Sequence, residues 1–398
     1  MNLCNKPIER YIIICIIVLL LLILYYIISN KNKNYDNNLL PKWNRNKCDY
    51  VMSDTIKNEL IKNNLNESSD NWNLYFPCTY DNINKEISEM PKIDGGKYFI
   101  IENCDLMIAK QLLWQNILSY YGFDKAISLL PNSYVLQSSD DLKRLTNDFD
   151  GTKIYIMKKN VQRQEGLKIT NDLVTILNGY QSGYILAQEL LQDPYIISGR
   201  KTNMRFYVLV LCLKNKIYAF VYNDGFMYYT KDLSVKNSTE DGPNITTGYI
   251  DRQVYIDNPL THHDLVKYLD DPDRINLTET EIILRRQYVS LSKVYFHRIY
   301  IALKDIFMAY VGKICNGKKF NNNKQLSFQL FGVDVGMSDT YKPKIMEINK
   351  GPDLSSKDER DGKIKSGVVN NMFKIIGLLP DDGQNNYIQL FEADNSII

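Results

Sequence analysis

Three oxygen-bearing side chains near the end of the chain have a spacing that suits a metal site. In the segment KIMEIN, residues 344–349, strand alternation puts Ile345, Glu347 and Asn349 on one face. Asp334 lies on the preceding predicted strand, where it can face Glu347 across a hairpin. Two carboxylates and an amide oxygen suit Mg²⁺ that is shared with substrate phosphates. The alternative is a surface hairpin whose acidic ends are merely solvated.

A second polar face occurs in the segment GRKTNMRFYVLV, residues 199–210. The same period of two places Lys201, Asn203 and Arg205 on one face of a strand. Such donors in a cleft would neutralise phosphate and stabilise the charge that develops during phosphoryl transfer. The alternative is an exposed sheet face whose cations pair with acids.

A third candidate is the end of the strand IYIMKK and the polar loop that follows it. Lys158 ends the strand, and the loop includes Gly166. Backbone amides of such a loop, together with a lysine, can close over phosphates. The segment lacks a Walker-type glycine pattern, so by itself it is a weak indication.

The elements that must position these residues are of mixed type, and we predict an α+β fold. Segments rich in β-branched and aromatic residues predict a sheet-dominated core, with a hairpin turn at residues 214–216. Apolar periodicity predicts helices at residues 105–121, at 278–315 as one or two helices, and at 363–378. The predicted strands are residues 97–101, 152–159, 183–191, 204–213 and 216–223.

Composition excludes several classes of protein. Lys and Arg total 48 against 46 Asp and Glu, so no global basic field indicates nucleic-acid binding. The seven cysteines are scattered and form no C-x-x-C pair. This pattern argues against a disulfide framework or a zinc site and favours a reducing compartment.

The segment YIIICIIVLLLLILYYII, residues 11–28, is an uncharged apolar run that is long enough to cross a bilayer as a helix. A cleaved signal peptide is the alternative, but no small-x-small cleavage pattern follows the run. Lysines accumulate after it, which predicts a single-pass membrane protein with a cytosolic body. Four sequons would instead suit a lumenal body, namely those at Asn66, Asn237, Asn244 and Asn276.

Taken together, these segments resemble the tubulin–tyrosine ligase family over about residues 98–379. The family's motifs have counterparts, in the same order, in YIMKKNVQRQEG, AQELL, GRKTNMRFYVLV, NITT, FQLFGVDV and MEINKGPDLS. The resemblance implies an ATP-grasp fold that joins a free amino acid to the tail of tubulin or of another acidic-tailed protein, using ATP and Mg²⁺.

The resemblance also implies a role for individual residues. Phosphate would contact Lys110 and Lys158, and Mg²⁺ would be held by Asp334, Glu347 and Asn349. Lys201, Arg205 and Lys365 would serve catalysis. The remaining nucleotide contacts would be Gln188, Glu189, Leu190, Leu191, Lys201, Asn203, Ile245 and Thr246.

The chain departs from the family's pattern at five positions, which are Lys159, Glu165, Asn203, Asn223 and Thr247. Asn223 would replace an arginine, a loss that Arg200 or Arg252 could compensate. Two further readings therefore stay open. One is a pseudoenzyme that acts as a membrane-tethered binding module, and the other is an ATP-grasp ligase for a small molecule.

The predicted organisation follows from these segments. A tail, residues 1–10, precedes the span, and a polar tether, residues 29–96, follows it. The folded body would comprise an N-terminal lobe at 97–150, a central lobe at 151–215, a C-terminal lobe with the metal site at 216–380, and a tail at 381–398.

Overall fold

The computed structural model describes residues 40–45, 51–78, 82–161, 166–248, 250–315, 320 and 324–395. The predicted membrane span at residues 11–28 lies outside these ranges. Within the ranges, no helix is both long enough and apolar enough to cross a bilayer.

A large mixed sheet forms the core of the body, and its longest strands lie at its centre. The strand order is β1-β2-β3-β13-β9-β10-β15, with β14 on β13, β8 and β11 on β9, and β12 on β11. These strands are β1 (Trp43–Asn44), β2 (Leu74–Tyr75), β3 (Lys97–Tyr98), β8 (Ile196–Ile197), β9 (Arg200–Leu213), β10 (Lys216–Tyr222), β11 (Phe226–Thr230), β12 (Thr246–Thr247), β13 (Leu326–Met337), β14 (Pro343–Lys350) and β15 (Tyr387–Asp394).

The predicted hairpin turn between β9 and β10 is confirmed. Lys214 and Asn215 both have positive φ, at 52° and 59°. A two-residue connection of this kind matches the right-handed twist of the strands on either side. The turn keeps β9 and β10 in antiparallel register from Lys216 opposite Leu213 onward.

A smaller antiparallel sheet stands beside the large one, in the order β4-β7-β5-β6. One face packs through Tyr155, Met157 and Ala187 onto helices, and the other carries Ile156 and Lys158. The strands are β4 (Ser133–Val135), β5 (Tyr155–Lys159), β6 (Leu167–Thr170) and β7 (Tyr184–Glu189).

Helices cover both sheets. The long apolar pattern at 278–315 forms two helices, α10 and α11, and Ser290 accepts a hydrogen bond as the N-cap of α11. The described helices are α1 (Asp54–Lys62), α2 (Ile83–Glu89), α3 (Asp105–Ile108), α4 (Lys110–Tyr121), α5 (Phe123–Leu129), α6 (Ser139–Asp148), α7 (Leu173–Leu177), α8 (Val254–Asp257), α9 (His262–Asp270), α10 (Glu279–Arg286), α11 (Leu291–Met308) and α12 (Glu359–Ile375).

Two segments that the sequence placed outside the fold are part of it. Within the predicted tether at 29–96, strands β1 and β2 join the large sheet through β3, and Ile56 and Leu60 of α1 are buried in the main core. Within the predicted tail at 381–398, β15 pairs with β10 along its whole length. Both segments are polar on average, but their few apolar residues contact distant parts of the chain.

The expectation that the scattered cysteines form no disulfide framework is also wrong. Cys212, at the end of β9, and Cys315, after α11, form a disulfide with their Cα atoms 5.5 Å apart. Cys78 is also disulfide-bonded, whereas Cys104 is a buried free thiol. The sequence could not indicate the first pair because its members are separated by 103 positions.

Breaking the Cys212–Cys315 bond should destabilise the body, because the bond closes a long loop in the unfolded chain. We expect Cys212→Ser to lower the free energy of unfolding by about 2–4 kcal/mol, measured by urea denaturation. Alkylation of the unfolded, unreduced protein followed by peptide mass spectrometry checks the pairing, with Cys104 as the internal control. Labelling of Cys212 and Cys315 to the same extent as Cys104 would contradict the assignment.

Candidate active site

A cleft lies between the small sheet and the strands β9, β13 and β14 of the large sheet. Alternation along β5 and β7 directs Lys158 and Gln188 toward it, since Met157 and Ala187 pack on the opposite, helical side. Lys158 and Glu347 line one narrow cavity at its inner end, together with Lys110, Trp114 and Gln188. The structure thus brings together side chains from both sheets and from α4.

Arg205 and Asp334 form the central ion pair of the cleft. The two residues are opposite each other on β9 and β13. Nε of Arg205 lies 2.6 Å from Oδ1 of Asp334, and Nη2 lies 3.1 Å from Oδ2, so the contact is bidentate. Burial opposes the charge of Arg205, but Asp334 outweighs it and raises the pKa of the guanidinium well above its ordinary value. The bidentate contact fixes the orientation of Asp334.

Glu347 lies opposite Asp334 on β14, and Asn349 lies opposite Gly332. The predicted grouping of Asp334, Glu347 and Asn349 on one face is thus consistent with the strand register. The expectation for Ile345 is wrong, because a β-bulge shifts the register between Asp334 and its neighbour. The bulge turns Ile345 into the core, where it is fully buried.

Met346 takes the place on the cleft face that alternation assigned to Ile345. Its sulfur lies 3.2 Å from where a Cβ on Gly336 would be, and Oδ1 of Asn203 lies at the same distance from that position. A side chain at Gly336 would therefore press on both groups. The glycine leaves room at this point of the cleft floor.

Two lysines approach the carboxylates from different elements. Nζ of Lys110, at the start of α4, lies 3.7 Å from Oε1 of Glu347 and donates to the carbonyl of Val161 at 3.1 Å. Nζ of Lys158 donates to Oε1 of Gln188 at 2.7 Å. Burial lowers the pKa of Lys158, Glu347 partly opposes this shift, and Lys110 adds to it. The net result is a pKa of about 8. Both cations are placed to meet an anion that lies above Glu347.

Lys201 and Asn203 make hydrogen bonds across the cleft. Their partners lie just before β12 and within it. Nζ of Lys201 donates to Oδ1 of Asn244 at 2.5 Å, and Nδ2 of Asn203 donates to Oγ1 of Thr246 at 2.8 Å. Burial lowers the pKa of Lys201. The asparagine at position 203 thus supplies an amide donor that an aspartate could not provide.

An apolar slot adjoins the lysines. Ile156 and Ile169 of the small sheet form a cluster with Ile154, and Leu190 and Ile245 pack against it. This apolar surface suits the face of a flat heterocycle. Leu191 is half-buried at the exit from β7.

The side chain of Glu189 does not face the slot. Its Oε1 accepts hydrogen bonds from Nζ of Lys153 at 3.0 Å and from the hydroxyl of Tyr134 at 3.2 Å. Tyr134 belongs to the cluster on the helical side of the small sheet. Its backbone N–H donates to the carbonyl of Asn132 at 2.9 Å, so the contact of Glu189 with a nucleotide base stays a prediction.

A buried polar network fixes the chain just beyond the slot. Oε1 of Glu281 accepts hydrogen bonds from the hydroxyls of Tyr195 and Tyr341, both at 2.7 Å, and lies 2.6 Å from Nη2 of Arg274. Burial opposes the charge of Glu281, but Arg274 and Tyr195 lower its pKa. Tyr195 follows the β7 exit, and Tyr341 lies in the β13–β14 turn, so the network joins the two walls of the cleft.

Lys365, predicted as catalytic, is buried beneath residues 351–358, which we call the site loop. Its Nζ donates to the carbonyl of Ser355 at 2.6 Å and to Asp361 at 3.0 Å. These contacts give Lys365 a structural partner on each side. Its catalytic role stays a prediction.

The departures from the family's pattern fall in different places. Asn223 is exposed, and its N–H donates to the carbonyl of Asn386 beside β15. Lys159 packs over the ring of Tyr184 at 5.0 Å, and Thr247 pairs with Tyr229 in the β11–β12 ladder. Glu165 lies outside the described residues.

Sequence reasoning missed two residues of the cleft. Tyr228 lies opposite Asn203, and its ring stands 5.4 Å from the guanidinium of Arg205. Burial raises the pKa of its hydroxyl to about 12. Lys357, in the site loop, donates to the carbonyl of Gly248 at 2.9 Å. Alternation in the segment FMYYT could have indicated Tyr228, but the position of Lys357 depends on long-range packing.

The donor set fits Mg²⁺ and a nucleotide. No three His, Cys, Asp or Glu side chains cluster tightly enough for a metal site in the described part of the chain. Asp334 and Glu347 are too few to hold Mg²⁺ by themselves. They would hold it together with Asn349 and with phosphate oxygens, which is how proteins commonly bind this ion. Lys110 and Lys158 would neutralise the phosphates, and the apolar slot would take the base.

A sequence model of the tubulin-tyrosine ligase family matches residues 97–386. The chain belongs to the tubulin-tyrosine ligase family. The matched region is well over half of the chain and includes every cleft residue named above.

Individual relatives are distant. Human tubulin polyglutamylase TTLL5 is 23% identical over 286 residues, which is 69% of this chain and 21% of the relative. A probable beta-tubulin polyglutamylase of Tetrahymena thermophila is 24% identical over 264 residues, 64% of this chain and 21% of the relative. A probable tubulin polyglutamylase, TTLL9 of Bos taurus, is 24% identical over 195 residues, 48% of this chain and 38% of the relative. The chain thus spans less than half the length of these relatives.

Removing one carboxylate should weaken Mg²⁺-dependent ATP binding. We expect Glu347→Gln and Asp334→Asn to raise the Kd for ATP in Mg²⁺ by about tenfold or more, because each loses an anionic ligand. Glu347→Gln is the cleaner variant, since Asp334→Asn also leaves Arg205 without its partner. Calorimetric titration with and without Mg²⁺ measures the effect, and the exposed Glu392→Gln on β15 is the matched control. Unchanged affinity and metal dependence in both variants would exclude this metal site.

The pKa of Lys158, at about 8, predicts a pH-dependent ATP affinity. The ammonium binds phosphate only while protonated, so affinity should fall as pH rises through 8, by up to about tenfold per pH unit. Lys158→Arg keeps its charge and should flatten the profile between pH 7 and 9.5. Lys159→Arg, on the neighbouring residue, should leave the fall in place. A wild-type affinity that is constant over this range would show that Lys158 does not bind phosphate.

Proposed function

We propose that the protein is an ATP- and Mg²⁺-dependent carbon–nitrogen ligase that adds an amino acid to an acidic protein tail, such as that of tubulin. The observation that carries this proposal is the convergence of Asp334, Glu347, Lys110, Lys158 and Arg205 on one cleft, from both sheets and α4. A carboxylate pair opposite several cations suits phosphate transfer to a carboxylate. Tyrosine, glutamate and glycine are the candidate amino acids.

The chemistry would proceed through an acyl phosphate. A carboxylate oxygen attacks the terminal phosphorus of ATP, ADP leaves, and an amine then displaces phosphate to form the amide bond. Lys110 and Lys158 would stabilise the charge on the transferred group, and Arg205 would keep Asp334 oriented toward Mg²⁺. Exclusion of water from the cleft would protect the acyl phosphate from hydrolysis.

Binding of an acidic tail requires cations at the mouth of the cleft. Arg200, Lys168 and Lys231 are candidates. Arg200 is occupied, because its Nη1 donates to the carbonyls of Thr230 and Lys231. Arg252 is also occupied, because it forms an ion pair with Asp358 of the site loop. Lys168 and Lys231 are exposed, and we propose that they contact the acidic tail.

The alternative of a binding module has one observation in its favour. Asn203, at a position where the family has an aspartate, carries no charge and bonds to Thr246. A protein that binds ATP without turnover would tolerate this change. The small-molecule ligase differs from the leading proposal only in its acceptor.

We further propose that residues 11–28 hold the protein in a membrane with its body in the cytosol. The sequon at Asn244 supports this orientation, because the side chain is buried and bonded to Lys201 and to the carbonyls of Ser238 and Glu240. A glycan there would disrupt the cleft. The Cys212–Cys315 disulfide points the other way, since such bonds are characteristic of oxidising compartments. Glycosylation of Asn237 or Asn276 in cells would overturn the orientation.

The ligase proposal predicts a mass increase on an acidic acceptor. Tubulin and acidic-tail peptides are incubated with ATP, Mg²⁺ and each of tyrosine, glutamate and glycine, and the products are measured by mass spectrometry. We expect one amino acid to be added by the wild type, and turnover in Lys201→Ala to fall by about 100-fold, since that variant removes a buried cation from the cleft.

Two results would decide against this proposal. If the wild type binds ATP but adds no mass to any acceptor, the binding module or the small-molecule ligase replaces it. If Lys201→Ala adds as much mass as the wild type, Lys201 has no part in the reaction.

A further inference from the structure

Helix α1 belongs to the segment that the sequence assigned to a tether, yet it packs beside the site loop. Ile56 and Leu60 anchor α1 in the main core, and Oε2 of its buried Glu59 accepts a hydrogen bond from Asn370 of α12 at 3.0 Å. The helix is thus fixed against the element that begins directly after the site loop.

Thr55, in the first turn of α1, makes a hydrogen bond to the site loop. Its hydroxyl donates to the carbonyl of Leu354 at 2.5 Å, across 299 positions of sequence. Thr55 is 6% exposed and Leu354 is 4% exposed. A buried carbonyl that loses its partner is costly, so this bond constrains where the loop can lie.

The next carbonyl of the loop, that of Ser355, accepts a hydrogen bond from a different helix. Lys365 of α12 donates to the carbonyl of Ser355, while the N–H of Lys357 donates to Oδ2 of Asp361 at 2.7 Å. Two successive carbonyls therefore accept hydrogen bonds from two different helices, α1 and α12. We call this pair of contacts the clamp.

The clamped loop lies beside the central ion pair. A Cβ on Gly332 would lie 2.8 Å from Cβ of Pro352 and 3.2 Å from Nη1 of Arg205. Pro352 thus covers β13 at Gly332, which has no side chain, next to the guanidinium. A shift of the loop would expose Arg205 and move Asn349, which precedes the loop by two residues.

We propose that Thr55 is a positioning residue: through the carbonyl of Leu354 it fixes the site loop over Arg205 and beside Asn349. The helix after the membrane-proximal segment is then part of the catalytic body. The loop-holding role stands on the contacts alone, whereas its consequence for turnover rests on the proposed ligase function.

Three variants in the full chain isolate the hydroxyl. Thr55→Val keeps the shape but removes the donor, and Thr55→Ser keeps the donor. Ile56→Val deletes one buried methylene from the adjacent residue of the same helix and is the control for general loosening of α1. Hydrogen exchange of the site-loop amides reports on the loop directly, because the amides of Ser355 and Lys357 are bonded to Asp353 and Asp361.

We expect Thr55→Val to speed exchange in residues 351–358 by about tenfold or more, because the loop opens more often when one half of the clamp is lost. Turnover should fall by about tenfold, and KM for ATP should rise, because a shifted loop moves Asn349, a predicted ligand of the Mg²⁺ that binds ATP. Thr55→Ser and Ile56→Val should resemble the wild type in all three measurements.

Unchanged loop exchange in Thr55→Val, or an equal increase in Ile56→Val, would overturn the proposal. Faster loop exchange with undiminished turnover would also overturn it, because the loop would then be held for stability alone. If the wild type shows no ligation, the proposed function fails by itself, and the exchange measurement still decides whether Thr55 holds the loop.

Discussion

The bidentate ion pair between Arg205 and Asp334 is the interaction on which the arrangement of the cleft depends. It joins the two longest strands of the sheet at the level where β14 places Glu347 beside Asp334. Both charged groups are largely shielded from solvent, with side-chain exposures of 13% and 18%. Removing one partner would leave the other buried and uncompensated, which is far more costly than losing a surface ion pair.

Other parts of the cleft are arranged around this pair. Tyr228 covers one face of the guanidinium, and Pro352 of the site loop packs beside it over Gly332. On the far side, Lys110 and Lys158 line a narrow cavity together with Glu347. The positive charge is thus concentrated where a nucleotide would bring negative charge. Arg205 itself is neutralised, so it orients Asp334 rather than attracting the anion.

Sequence reasoning predicted the parts of the site that follow from local periodicity. Alternation in β9 identified Lys201, Asn203 and Arg205 as one face, and the hairpin β13–β14 was expected to bring Asp334 near Glu347. Alternation could not predict that Met346 rather than Ile345 lies on the cleft face. A bulge depends on the partner strand and not on the bulged sequence.

The larger errors concern contacts between distant segments. The polar average of residues 29–96 concealed the strands β1 and β2 and the clamp at Thr55, although the stretch at residues 54–65 is visibly amphipathic. The pairing of Cys212 with Cys315 and the addition of β15 to the sheet were missed for the same reason, because the partners lie far apart in the sequence. Such features follow from the fold as a whole, which periodicity and composition do not encode.

The central claim is that a carboxylate of the acceptor tail, bound in the cleft, is activated by phosphate transfer from ATP. Following the oxygen atoms of that carboxylate tests the claim most directly. An acidic peptide whose side-chain and C-terminal carboxylates all carry a heavy oxygen isotope is incubated with the protein, ATP, Mg²⁺ and the amino acid. An acyl phosphate requires one labelled oxygen to leave with each released phosphate, in proportion to the amide formed. Amide formation with unlabelled phosphate would contradict the account.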